Sequence, residues 1–140
     1  MCVLVRVLVS ACLLGKNCKY NGGNNLDERV IAFLKDKEVI AVCPEESLGV
    51  PRIPMEIVDG VLLNKEGVNI DSQVRENIEK IMQQLKQNPV DLGILKSRSP
   101  TCGVKQVYDG SFTGKLIDGA GVLTQALQAA GVTTVDAEDL

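Results

Sequence analysis

The chain has 140 residues, 45% of them apolar and 24% charged, with a formal net charge of −3. That length suffices for one domain with a sizeable core, and residues 1–140 read as that single domain. The acidic balance and the short, interrupted apolar runs exclude a general polyanion-binding surface and a bilayer span, so neither a polymeric nucleic acid nor a membrane is an expected partner.

Val3–Ser10 is β-branched and apolar and predicts a first, central strand. Ala11–Asn25, with Gly15, Gly22, Gly23 and several asparagines, predicts a loop. Leu26, Val30, Phe33 and Leu34 fall on one stripe and predict an amphipathic helix over Leu26–Lys37, with Asn25 as its cap. Val39–Val42 predicts a strand, stopped by Cys43-Pro44, and Pro44–Pro54 an extended loop. Glu56–Leu63 predicts a hairpin turning at Asp59-Gly60. Ile70, Val74, Ile78, Ile81, Met82 and Leu85 give Asp71–Gln87 one apolar face, and Asn88-Pro89 ends that helix. Leu92–Leu95 is the next strand, Lys96–Gly103 a Ser- and Pro-rich loop, and Val107–Lys115 a second small hairpin around Asp109-Gly110. Gly119–Ala130 predicts a last helix closed by Gly131, and Val132–Val135 a last strand.

Strands alternating with helices predict an α/β fold. Its form is a three-layer, Rossmann-like open sheet of about four mainly parallel strands, with two small β-hairpin insertions. The scarcity of aromatics, 3% with no Trp, suits a sheet covered on both faces by Val, Ile, Leu and Ala. Ligands of such sheets sit beyond the carboxyl ends of the strands, where strand order reverses.

Three of the five cysteines, Cys12, Cys43 and Cys102, follow apolar strands, and Cys18 lies in the loop after Cys12. Parallel pairing would bring these thiols to one edge of the sheet. Met1–Arg6 lacks the features of a secretory signal, so a cytoplasmic location is expected, where a disulfide framework is not. A free cysteine is often a small buried hydrophobe, and Cys2 reads that way. The other four sit beside Pro44-Glu45, Pro100 or Gly103, or in a glycine-rich loop. With no histidine in the chain, several thiols suit an iron–sulfur cluster or zinc. A metal-free pocket of a small nucleotide-binding enzyme, and a non-catalytic metal- or cluster-binding module or redox sensor, stand as alternatives.

Val9-Ser10-Ala11-Cys12-Leu13-Leu14-Gly15, with Cys18-Lys19-Tyr20-Asn21-Gly22, matches the opening of a widespread bacterial and archaeal domain. Val42-Cys43-Pro44-Glu45, Pro51-Arg52-Ile53-Pro54-Met55-Glu56-Ile57, Ile94–Gly103 and Tyr108–Gly114 continue the match in order. The chain thereby resembles the thiouracil desulfurases (desulfidases). Asn21 stands where that family usually has Asp, and Thr101 where it commonly has Ser.

The resemblance implies a [4Fe–4S] cluster held by Cys12, Cys43 and Cys102, with Cys18 as an alternative ligand. One iron would be left open for the sulfur of a thiolated nucleobase, nucleoside or nucleotide. The implied reaction is desulfuration without net redox change. Glu45 is the candidate base for an attacking water; otherwise it is a cap or an ion-pair partner. Ser99 is a candidate for binding substrate or water, set against the common role of a turn residue before proline. Arg52 and Lys96 are candidates for contacting an anionic group, set against structural ion pairing.

Overall fold

A computed structural model of the chain describes residues 5–18, 20–45, 48–49 and 52–140. Cys2, read as a buried hydrophobe, and Val3, Leu4 and Pro51, read as strand and loop, lie outside the described residues. Four strands, β1 (Arg6–Ser10), β2 (Glu38–Val42), β5 (Leu92–Leu95) and β8 (Thr133–Asp136), form one sheet in the order β2-β1-β5-β8. Every pairing is parallel, Ser10 lying beside Val42 and Val9 beside Ile94. The order reverses between β1 and β5, because the chain goes from β1 to one side and then crosses back.

Alternation along the central strands builds the two cores. Val7, Val9 and Ile94 face one side, packed with Val30 and Leu34 of helix α1 (Glu28–Leu34) and with Leu13 and Ala137. Leu8, Val42 and Leu95 face the other. There they meet Val74, Ile78 and Leu85 of α2 (Asp71–Gln87) and Leu123 and Leu127 of α3 (Val122–Ala129). Val7, Leu8, Val9 and Ile94 are fully shielded from solvent, as side chains of a doubly covered sheet should be. The layers are therefore α1, sheet, and α2 with α3. Among the described residues no helix is long and apolar enough to cross a membrane.

Two antiparallel hairpins extend the sheet's site-bearing end: β3 (Met55–Val58) with β4 (Val61–Asn64), and β6 (Gln106–Tyr108) with β7 (Leu116–Asp118). In the first, Asp59 (φ 51°) and Gly60 (φ 79°) form the two-residue left-handed turn expected of Asp-Gly.

Several boundaries differ from the sequence reading. Asp27, not Asn25, caps α1, its carboxylate accepting the Arg29 amide at 2.9 Å. Leu26 consequently stays outside the helix and is 53% exposed. The loop after β1 opens with one 3-10 turn, Ala11–Leu14, closed by Gly15 at φ 92°. In the second hairpin Asp109-Gly110 does not form the tight turn. Glu56 of the first hairpin accepts the amides of Gly110 and Phe112, drawing residues 109–115 into a longer connection. Helix α3 starts at Val122 rather than Gly119, with Gly121 as its N-cap.

Candidate active site

The carboxyl ends of β1, β2 and β5 each release a cysteine-bearing loop at one edge of the sheet. Cys43 directly follows β2, Cys12 lies in the 3-10 turn after β1, and Cys102 lies in the loop after β5. The Ser10 hydroxyl ties two of these ends together by accepting the Lys96 amide at 3.0 Å. All eight residues singled out from the sequence, Cys12, Cys18, Cys43, Cys102, Glu45, Arg52, Lys96 and Ser99, line a single cavity of about 580 Å³.

The Cys102 loop is held from below by α3. The amides of Val122, Leu123 and Thr124 donate to the carbonyls of Pro100 and Thr101, and the Thr124 hydroxyl donates to the Cys102 carbonyl at 2.9 Å. These bonds satisfy amides of the first helical turn that have no partner within the helix. Contact is close enough to require glycine. A Cβ on Gly121 would lie 2.4 Å from the Thr101 carbonyl carbon. Ser99 fixes the same loop from within, its hydroxyl oxygen accepting the amides of Thr101 at 3.2 Å and Cys102 at 3.0 Å.

Glu45 sits in a hydrogen-bonded frame. Oε1 accepts from Arg52 Nη2 at 3.3 Å and Oε2 accepts from Thr101 Oγ1 at 2.9 Å. Thr101 Oγ1 is also 3.1 Å from Ser99 Oγ. The side chains of Arg52 and Glu45 are 8% and 14% exposed, so this ion pair is shielded from solvent. Arg52 also donates to the carbonyls of Cys18 at 2.8 Å and Gly49 at 3.0 Å. Its guanidinium thus braces the Cys18 loop and Glu45 together, and only Nε is buried without a partner. Lys96 Nζ donates to the carbonyl and hydroxyl of Ser97, at 3.4 and 3.1 Å, and its charge favours the thiolate of Cys12.

The thiols perturb one another across the cavity: Cys12 with Cys43 and Cys18, and Cys102 with Cys12. Cys18 and Cys102 are buried; Cys12 and Cys43 are half-buried. Burial pushes the Cys43 and Cys102 thiols up to about 12 and raises those of Cys12 and Cys18. In the protein alone they are neutral at pH 7, and metal uptake releases their protons. Among the described residues no three Cys, Asp or Glu side chains gather tightly enough to ligate one metal ion. A cube-shaped cluster spreads its ligands further apart than a single ion does. Four soft thiols around one cavity, in a chain without histidine, fit the donor set that such a cluster takes.

Three contributors were not assigned a site role from the sequence. Thr101 drew notice only as a replacement for serine, although its place beside Cys102 was the available signal. Asn25, read as a helix cap, and Ser10, at the end of β1, line the cavity instead, where their polar side chains favour the thiolates of Cys12 and Cys102. Asn25 has no sequence signal for that place; Ser10 stands in the motif that carries Cys12, but its contact with the Lys96 amide follows from the pairing of β1 with β5.

A family model described as 2-thiouracil desulfurase matches residues 7–139. A protein of Bacillus subtilis (strain 168), the uncharacterized protein YbbK, is 31% identical over 146 residues, covering 96% of this chain and 97% of its own. Among solved structures, the [4Fe–4S]-dependent thiouracil desulfidase TudS superimposes with a TM-score of 0.89 at 26% identity. That superposition covers 97% of this chain and 93% of TudS.

Proposed function

The chain belongs to the 2-thiouracil desulfurase family, and from that premise we propose that it removes the sulfur of a thiolated uracil base, nucleoside or nucleotide and releases it as sulfide. The observation that carries this reading is the convergence of four thiols and a braced carboxylate on one cavity. The likeness to TudS supports it. Cys12, Cys43 and Cys102 would hold a [4Fe–4S] cluster, with Cys18 beside Cys43 as the alternative ligand. Held by three thiolates, such a cluster supplies a Lewis-acidic iron with affinity for soft sulfur.

The remaining chemistry falls to the chain's own groups. Water replaces sulfur at the thiocarbonyl carbon: C=S becomes C=O, sulfur leaves as sulfide, and no electron donor is needed. Glu45 takes the proton of the attacking water. Arg52 and Thr101 hold its two oxygens, so the carboxylate is aimed before substrate arrives. Thr101 has one hydroxyl proton; given to Glu45, it leaves Ser99 as the donor in the Ser99–Thr101 pair. The relay Ser99, Thr101, Glu45 can then return the proton towards the departing group when its directions reverse. Lys96, on the cavity wall, would meet an anionic substituent of the substrate, whereas Arg52 acts chiefly as the brace of Glu45.

Turnover of 2-thiouracil in ¹⁸O-labelled water by anaerobically reconstituted protein tests the reaction type. Uracil carrying the label and an equal amount of sulfide, without added reductant, are expected. Unlabelled uracil, or a strict requirement for reductant, would rule out the hydrolytic, non-redox course.

A further inference from the structure

The chain has four aromatic residues, Tyr20, Phe33, Tyr108 and Phe112. Three of them, Tyr20, Tyr108 and Phe112, line the thiol-bearing cavity. Phe33, on α1, packs against the core, whereas Phe112 belongs to neither core cluster. An aromatic-poor protein has therefore kept its rings for the cavity rather than for its interior.

Phe112 is held there under strain. Its φ of 59° lies in the left-handed region, where a bulky side chain is rarely found and persists only if its surroundings over-determine it. The cause is Glu56, 9% exposed, whose Oε1 accepts the amides of Gly110 at 2.9 Å and Phe112 at 3.2 Å. Gly110, at φ 93°, approaches the first hairpin so closely that a Cβ would stand 2.6 Å from the Ile57 carbonyl oxygen. A carboxylate is costly to bury without hydrogen bonds, and here it fixes one loop in one conformation.

We infer that residues 109–114, pinned by Glu56, present the Phe112 ring as the stacking face for the flat pyrimidine of the substrate. Phe112 is then a specificity-determining residue and Glu56 a positioning residue. This rests on the proposed desulfurase reading and adds to it that the site selects planar heteroaromatic thiocarbonyl compounds by their π face. Stacking of a base on a side-chain ring is strong and tolerant of ring substituents, so it would hold substrate and product alike.

The test compares wild type, F112A, F112L, F112Y and E56A after anaerobic reconstitution, with iron content and circular dichroism as checks on loading and folding. The readouts are KM and kcat for 2-thiouracil and the inhibition constant of the product, uracil. F112A is expected to raise KM and the uracil constant by roughly tenfold while kcat stays within about twofold, the pattern of lost uniform binding of a stacked base. F112L should not restore binding, F112Y should, and E56A should move both constants in the direction of F112A with iron content unchanged. Unchanged constants in F112A, or equal behaviour of F112L and F112Y, would overturn the proposal. Absence of sulfide release by the wild type would count against the reaction instead. Equilibrium dialysis of wild type and F112A with 2-thiouracil then decides the stacking role alone: tenfold weaker binding by F112A sustains it, and equal or absent binding overturns it.

Discussion

The hydroxyl of Thr101 carries one proton and faces three acceptors: Glu45 Oε2 at 2.9 Å, Ser99 Oγ at 3.1 Å and Cys102 Sγ at 3.7 Å. The carboxylate is the nearest and the strongest, because hydrogen bonds to an ionised acceptor are favoured over neutral ones. This fixes the direction of the relay and makes Glu45 and Thr101 separable by experiment. E45Q should keep its bound iron and lose activity by about 10²–10⁴-fold, the usual contribution of a positioned base. T101V, similar in shape but without the hydroxyl, should lose a smaller part, roughly tenfold, and T101S should recover it. Steady-state kcat alongside iron content checks both; a T101V enzyme with wild-type kcat would remove Thr101 from the relay. At this scale the place of Glu45 and Ser99 on the cavity wall was legible because they stand two residues after Cys43 and three before Cys102. The brace formed by Arg52 was not, because its partners, Cys18 and Gly49, are set by how two loops fold over each other.

Among the elements, helix starts position the site. Helix α3 docks its first amides under the Cys102 loop, and α1 follows the loop that carries Cys12 and Cys18. Asp27 caps α1. Burial pushes its carboxyl up, but hydrogen bonds from the Arg29 amide and guanidinium outweigh that and hold it below the usual aspartate range. A carboxyl lowered in the folded state stabilises the fold in full above its unfolded pKa, and the contribution fades as pH falls through the folded value. D27A should therefore cost about 1 kcal/mol at pH 7. The gap from wild type should shrink progressively once the pH drops below the ordinary aspartate range. Urea unfolding of the two proteins across that range checks the sign; a gap that widens on acidification would contradict it. The amphipathic stripes revealed α1 and α2, but not where α1 begins, since Asn25 and Asp27 are both capable caps and only packing against the Cys12 loop chooses between them.

For the whole molecule, the parallel sheet was legible from the order of apolar runs, and the sheet in turn explains why cysteines far apart in sequence share one edge. Right-handed crossovers leave little choice once four short apolar strands alternate with helices. What sequence order could not give was the cover of the cavity. The second hairpin departs from a tight Asp109-Gly110 turn because Glu56, distant in sequence, competes for its amides. Long-range polar contacts of this kind have no periodicity to betray them.

Every role given to the cavity's residues requires that the converged thiols form a cluster-bearing desulfurase centre. Anaerobic reconstitution with iron and sulfide, followed by assay of bound iron and of sulfide released from 2-thiouracil, compares wild type with C102A. Wild type should hold about four irons per chain and release sulfide with uracil, and C102A should lose both. Undiminished sulfide release by C102A would contradict a centre built on these thiols.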